Sequence, residues 1–472
     1  MALLAVDIGT TNCKVGVFRE TGRLIKVYRT ATNEAEVGTN DSREIDPELL
    51  YSILISLLKN GIERAGEPIT CIAITGMAEA CLVVSKRDGR PVTPILPWAD
   101  TRPKAIFEQN RMNIDEWIRF KKTGLHNHMK WGCYKLGYLA EEYDFNRSDA
   151  LLLSVSDYLA YRLTGVAATD ASLAARTYCY DITTESWDRE FLDQLNLGWI
   201  NLPKVFQSGE RIGRVLPNTD LHTNAEVSIC GHDHLCASYA LEGIGNTQVL
   251  NSLGTAETIS GTYPRKEFDK EAYNSGFLFG RKVGKRDFFW MGSIAASGMS
   301  VSWAKRTFGQ SPILSYPTGI LYFPYLAGSN PPHTAYDTKA MVMGLESRHS
   351  NADLYCAVLE GICYEFRWIY ELAKSQFALK EDPLLVSAGG GADLAFMQLK
   401  ANITGLTLHI HQMQEATMLG AIELLGVKGR LDKPVSTVMP QSGVQEQYEK
   451  MYREKYPPVL KLIHEYYEMR KL

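Results

Sequence analysis

No segment of this chain is long and apolar enough to cross a bilayer, and its N-terminus has no basic stretch leading into a long apolar run. A soluble, cytoplasmic protein is therefore expected. Cysteine is sparse and unpatterned. There are nine, with no CxxC pair and no disulfide-scaffold spacing, which points to a reducing compartment. Blocks of like charge are also missing. The formal charge is −4, with both signs spread along the chain. Nucleic acid and anionic membranes call for basic patches, so neither is expected as the main partner. Low-complexity tracts are absent. What the chain does have is length, 472 residues, enough for two or more domains. It also alternates short apolar runs with amphipathic helix patterns, which predicts an α/β class.

The stretch that organises the rest is Ala5-Val6-Asp7-Ile8-Gly9-Thr10-Thr11-Asn12-Cys13-Lys14. Leu3 to Val6 reads as a buried strand, Asp7 comes at its end, and Val15 to Phe18 reads as a second strand. A carboxylate at a strand end suits hydrated Mg²⁺, which prefers oxygen ligands and keeps several waters. Glycine lets the backbone approach a phosphate, and hydroxyls donate to phosphate oxygens. Taken alone, Asp-x-Gly-Thr is equally compatible with an ordinary β-turn.

Further along, Asp46-Pro47-Glu48 opens a helix, with Asp as N-cap and Pro at the first helical position. Cys71 to Thr75 reads as a buried strand, interrupted at Gly76 to Ala80. Pro94 to Pro103 reads as a shaped loop. Helices are expected to fill much of Lys104 to Leu163, Thr169 to Ser172 reads as a loop, and Pro203 to Pro217 as irregular. Val227 to Cys230 is a strand that ends in Gly231-His232-Asp233-His234. From Thr247 the design restarts: Val249 to Thr255 again runs from an apolar strand into Gly-Thr. Ala352 to Phe377 is a long helix, and Leu384 to Ala388 is a strand that runs into Gly389-Gly390-Gly391. A glycine run before a helix N-terminus suits close approach of a ligand. The tail from Val444 has helical spacing and is expected to break at Pro457-Pro458. The pairs His126/His128, His232/His234 and His409/His411 have metal-ligand spacing. No Cys or carboxylate cluster completes them, so no zinc site is expected.

Together these residues resemble the FGGY family of carbohydrate kinases over nearly the whole chain. Asp7-x-Gly9-Thr10-Thr11 with Lys14 resembles its first phosphate loop, and Ser252-Leu253-Gly254-Thr255 its second. Trp98-x-Asp100-x-Arg102 resembles a loop of xylulokinases and glycerol kinases. Gly231 to His234 sits where the family has its catalytic aspartate. Tyr322 to Gly328 and Leu359-Glu360-Gly361 resemble the C-terminal signature, and Gly389 to Ala392 the adenosine motif. The implied fold is two actin-like ATPase (ribonuclease-H-like) domains with an inter-domain active-site cleft, divided as residues 1–243 and 244–472, with a helical tail from about 444. There are departures in the substrate half. Met77-Ala78-Glu79 stands where glycerol kinases have Gln-Arg-Glu and xylulokinases tend to have Gln-Met-His. Ser329-Asn330 replaces the Glu-Arg of many xylulokinases.

The resemblance implies ATP and Mg²⁺ as cofactors and a small sugar or polyol as acceptor, most of all a pentulose such as xylulose or ribulose. Glycerol, erythritol, gluconate and deoxyketoses stand as alternatives. A homodimer is an open assembly state. It implies Asp233 as general base, where a helix-capping Asp is the bland reading, and Asp7 as the residue that orients Mg²⁺ through water. Phosphates fall to Thr10, Thr11, Lys14, Gly254 and Thr255. Gly389 to Gly391, with Gly298, fall to the nucleotide. The acceptor falls to Glu79, Trp98, Asp100 and His234, with a structural Asp100–Arg102 ion pair as the alternative for Asp100. Glu257 is expected either to bind sugar or to face solvent. The rival of a different class is an actin- or Hsp70-like nucleotide switch without sugar turnover.

Overall fold

The computed structural model describes all residues except 33–35, 38–43, 242–248, 336, 381–383, 389–392, 412–414, 428–435 and 470–472. The chain divides into two compact units. The first is Met1–Gly243 with Gly280–Asp287 and Glu415–Leu431; the second is Ile244–Phe279, Phe288–Gln414 and Asp432–Leu472. The boundary between 243 and 244 is one of its cuts, and two later segments are grouped with the first unit.

The first unit is built on a six-stranded sheet. Its order is Arg211–Arg214, Glu226–His232, Ile69–Gly76, Ala2–Ile8, Asn12–Arg19, Leu24–Ala31. Ala2–Ile8, Ile69–Gly76 and Glu226–His232 run parallel, and the hairpin strands Asn12–Arg19 and Leu24–Ala31 run antiparallel beside them. The parallel strands are continuous apolar runs because helices cover the sheet. One is Pro47–Ala65, whose N-cap Asp46 accepts from the Glu48 and Leu49 N–H groups. Its Leu50, Leu54, Leu57 and Leu58 are buried in the core with Leu4, Val6, Ile72 and Ile74. A second helix, Ala416–Leu424, packs on the helix Asp233–Leu241. A Cβ on Gly420 would lie 1.8 Å from the Cys236 carbonyl oxygen, so that close approach needs glycine.

The second unit has a seven-stranded sheet in the order Leu278–Arg281, Phe288–Ile294, Glu257–Tyr263, Val249–Leu253, Leu384–Ala388, Leu408–His411, Ser436–Val438. Val249–Leu253 is parallel to Leu384–Ala388, which is parallel to Leu408–His411, and antiparallel to Glu257–Tyr263. Five strands of each sheet thus repeat one plan: an antiparallel hairpin and third strand on one side of the first strand, two parallel strands on the other.

Several local expectations are corrected. Ala150–Ser154, inside the span read as helical, is a strand paired with Cys81–Ser85. Short apolar runs of this kind do not distinguish strand from helix by periodicity. Thr169 to Ser172 is not a loop. The strand Ala168–Asp170 leads into the helix Ala171–Ala175, which Asp170 caps by accepting from the Leu173 N–H at 2.9 Å. The span from Pro203 to Pro217 holds two strands, Lys204–Phe206 and Arg211–Arg214. The tail helix Ser442–Met469 runs through Pro457 and Pro458 without a break. Its buried face supplies the reason. Tyr448, Tyr452, Tyr456 and Leu460 are buried, and the Tyr452 and Tyr456 hydroxyls donate to Glu371 and Glu365 of the helix Asn351–Phe377. The carbonyls that lose their donors belong to the exposed Arg453 and Glu454, where water can replace them. Among the described residues, no helix is long and apolar enough to cross a membrane.

Candidate active site

In the first unit the three parallel strands end together, and each delivers a candidate residue at its carboxyl end, the usual ligand-binding edge of an open α/β sheet. Asp7 comes from Ala2–Ile8, Glu79 follows Ile69–Gly76, and Asp233 follows Glu226–His232.

Asp7 pairs in register with Lys14 across the hairpin. The Lys14 ammonium lies 3.7 Å from Asp7 and 2.9 Å from Glu415, so it is held between two carboxylates. Asp7 is buried, and its Oδ1 has no hydrogen-bond partner among the described residues. Burial pushes its carboxyl up to about 7; the negative charge of Asp233 adds to this and Lys14 offsets part of it. A buried carboxylate oxygen with no partner is the donor a hard cation such as Mg²⁺ takes, so Asp7 fits that role. At the hairpin tip the Gly9 N–H donates to the Asn12 carbonyl and the Thr32 hydroxyl donates to the Gly9 carbonyl, leaving Thr10 and Thr11 exposed. Trp98 is 42% exposed, and its indole N–H donates to the Thr10 hydroxyl at 3.1 Å.

Asp233 is the first residue of its helix. Its Oδ1 accepts from the N–H of the next residue, His234, at 2.6 Å. A capping Asp would accept from the second or third N–H, so this geometry is not that of an N-cap. His232 Nε2 lies 3.2 Å from the same oxygen. Burial pushes the carboxyl up, but His234, the His232 hydrogen bond and the His234 N–H together hold it down at about 2. Asp233 lies between the two histidines, and donor atoms of His232, Asp233 and His234 all fall within 4.8 Å of one another. A carboxylate therefore does accompany this His-x-His pair, contrary to the expectation from spacing.

Glu79 has φ 61°, a left-handed conformation that costs a non-glycine residue and is found most often at functional sites. Its Oε1 lies 3.4 Å from Arg176 and 3.7 Å from Lys130, and its carbonyl accepts from Lys135 at 2.6 Å. Burial pushes the Glu79 carboxyl up, but Lys130, Arg176, His232 and Lys135 outweigh it and hold it low. Burial also brings Lys135 down to about 8. Sequence reasoning missed these three cations. A usable signal for Lys135 was its place one turn before Leu139 on the buried stripe of the helix Gly132–Glu142, where an apolar residue belongs.

Asp100 is committed elsewhere. Its carboxylate accepts from Arg102 Nε at 3.1 Å and Nη2 at 2.6 Å, and Arg102 also donates to Glu44. This is the structural ion pair, which shapes the loop carrying Trp98. His234 is exposed, with its ring edge-on to His232 at 5.3 Å.

In the second unit Gly254 and Thr255 form the exposed tip of the hairpin Val249–Leu253/Glu257–Tyr263, closed by the Gly254 N–H donating to the Ala256 carbonyl. Gly298, the second residue of the helix Ser297–Phe308, sits beneath it. A Cβ there would lie 2.4 Å from the Gly254 carbonyl oxygen, and the Met299 N–H donates to the Thr255 carbonyl. Gly298 thus supports the hairpin. Glu257 neither binds at the surface nor faces solvent. It is 1% exposed and ion-paired to the buried Lys400. Gly389 to Gly391 lie outside the described residues.

Residues 2–239 match the N-terminal domain, and residues 250–428 the C-terminal domain, of the FGGY family of carbohydrate kinases. The xylulose kinase of Staphylococcus xylosus is 26% identical over 441 residues, covering 89% of each chain. Among solved structures, gluconate kinase from Lactobacillus acidophilus superposes with a TM-score of 0.85 at 20% identity, over 99% of both chains. Plasmodium falciparum glycerol kinase with ADP gives 0.83 at 20% identity, over 96% of this chain and 97% of that one. The sheets are those of the ribonuclease-H-like, actin-like fold. Both domain matches follow in order along a chain whose two sheets repeat one plan, so the protein belongs to the FGGY family of carbohydrate kinases and is an ATP-dependent sugar kinase.

Proposed function

We propose that this kinase transfers the γ-phosphoryl group of ATP to a hydroxyl of a small open-chain acceptor, with Asp233 as general base and Asp7 as the residue that orients Mg²⁺. The observation that carries this reading is the contrast between two carboxylates of one sheet edge. Asp233 is held ionised, while Asp7 keeps a buried oxygen without a partner.

As the acceptor oxygen bonds to phosphorus and the bond to the ADP oxygen breaks, the hydroxyl proton passes to Asp233. His232 and the His234 N–H hold that carboxylate ionised and therefore able to take the proton. When bound, Mg²⁺ neutralises charge on the β- and γ-phosphates. Thr10 and Thr11 donate to phosphate oxygens from their hairpin tip. At the matching tip of the second unit the Thr255 hydroxyl is a donor of the same kind, and Gly254, whose N–H is spent on Ala256, keeps that backbone bare of a side chain. Lys14, held by Asp7 and Glu415, contributes as a nearby positive charge. Glu79 accepts from acceptor hydroxyls, and Trp98 offers an apolar face to the carbon chain. His234 is a further acceptor contact, and Asp100 acts by fixing the Trp98 loop.

A pentulose is the first acceptor to test, in keeping with the xylulose kinase similarity. One observation favours a second reading, a sugar acid such as gluconate. Lys130, one-quarter exposed, stands beside Glu79 with Lys135 and Arg176 behind it, more positive charge than a neutral ketose needs. An ADP-release assay across pentuloses, hexuloses, aldonates and polyols, ranked by kcat/KM, decides between them. ADP release that no acceptor stimulates would sink the transfer reading. Asp233→Asn is expected to keep ATP binding and lose roughly 10³-fold in kcat. Turnover within tenfold of wild type would remove Asp233 as the base.

A further inference from the structure

Glu257 is the first residue of its strand, two positions after Thr255, and pairs in register with Leu253 on one side and Ile294 on the other. Its carboxylate is fully engaged. Oε1 accepts from the Asn251 amide at 3.0 Å and from Lys400, and Oε2 accepts from the Ser297 hydroxyl at 2.8 Å. Each partner comes from a different element. Asn251 is on the first strand of the hairpin and also donates to the Thr258 carbonyl. Ser297 opens the helix whose Met299 N–H donates to the Thr255 carbonyl and whose Gly298 lies close against the Gly254 carbonyl. Lys400 is on the helix Leu394–Thr404, which follows the Gly389–Gly391 run in sequence, and its ammonium also lies 3.8 Å from the centre of the Phe366 ring. Lys400 and Glu257 are 0% and 1% exposed.

A buried ion pair is weak evidence for stability, since well-packed apolar residues of like volume are often as good or better. What it supplies that they cannot is direction, because three donors of fixed placement converge on one carboxylate. We infer that Glu257, through Lys400, Ser297 and Asn251, is a positioning residue for ATP: it fixes the Gly254-Thr255 hairpin against the two helices beside it. This rests on the reading that Gly254 and Thr255 hold phosphate. Charge placement also fits that role. An acid two residues from a phosphate-binding tip would repel the ligand if it faced outward, and pairing it internally with Lys400 removes that repulsion.

The test measures KM for ATP, KM for the acceptor, kcat and thermal midpoint on the full chain carrying Glu257→Gln, Ser297→Ala, the double change Glu257→Leu with Lys400→Met, and Thr255→Val. Expected is a fivefold or greater rise in KM for ATP in Glu257→Gln and in the double variant, and threefold in Ser297→Ala. KM for the acceptor should stay within twofold, with the double variant's midpoint close to wild type. Should Glu257→Gln fail to fold, the double and Ser297→Ala variants still decide. If both keep KM for ATP within twofold of wild type while Thr255→Val raises it, the pair is structural and the inference falls alone. If Thr255→Val also leaves KM for ATP unchanged, the phosphate reading of the hairpin has failed.

Discussion

The two hairpins that open the two sheets are built alike and charged differently. Each leaves a buried apolar strand, turns through Gly-Thr, and returns antiparallel. In the first, the position one residue before the strand's end is Asp7, buried, with one oxygen unpartnered and its carboxyl pushed up to about 7. In the second, the matching position is Ser252, and the nearby acid, Glu257, is neutralised by Lys400. One frame thus carries an acid with a buried oxygen left without a hydrogen-bond partner among the described residues, while the other hides its acid and has Gly254 and Thr255 exposed at its tip. The backbone plan sets where a ligand can approach. The difference between the two hairpins is one of charge: Asp7 keeps one oxygen without a partner beside Lys14, and Glu257 is fully engaged.

The sharpest way to break this contrast is Asp7→Asn. On the role proposed for Asp7, this change should lower kcat by about 10²-fold or more. The metal-free chain should respond in the opposite sense. A carboxyl whose folded pKa, about 7, lies above its unfolded value near 3.8 favours the native state at low pH, and that contribution is lost as pH rises through 7. Asp7→Asn removes the penalty, so its thermal midpoint without metal should exceed wild type at pH 8 and converge with it near pH 4. Equal midpoints at pH 8 would show that Asp7 is not strained in the resting protein.

On the second hairpin, Gly298→Ala forces a methyl group towards the Gly254 carbonyl. Overpacking of this kind costs about 1–3 kcal/mol, and expressed as displacement of the tip it should raise KM for ATP roughly tenfold with little change in KM for the acceptor. An unchanged KM would mean the tip does not depend on that helix. The smallest effect is expected at Trp98→Phe. It keeps the aromatic face and removes only the N–H held by Thr10, a bond worth about 1 kcal/mol, so kcat/KM should fall only a few-fold. A hundredfold loss would promote Trp98 from wall to anchor.

Much of the frame was legible in the linear chain. Asp46-Pro47 opens a helix because its carboxylate satisfies the first N–H groups, a local matter that needs no tertiary information. The Gly-Thr repeat at 9–10 and 254–255 announced two like hairpins, since a turn that brings backbone close to a ligand needs those residues wherever it occurs. Elements whose conformation depends on distant partners were not legible. Ala150–Ser154 is a strand because Cys81–Ser85 offers it an edge, and the tail helix passes two prolines because its tyrosines reach Glu365 and Glu371.

The chemistry divides in the same way. Asp7, Asp233 and the two Gly-Thr tips were named as candidates through the resemblance to the family's motifs, since residue type and spacing alone left a turn acid and a helix cap open. Whether a given acid is free or taken could not be read there. Asp100 is spent on Arg102, Lys14 is shared by Asp7 and Glu415, and Glu257 is matched by Lys400, 143 positions away. Charge neutralisation acts through space at a few ångströms and carries no trace in sequence order. The chain's own order therefore determined the fold, the family and the carboxylates that could act. Only packing decided which of them remain available.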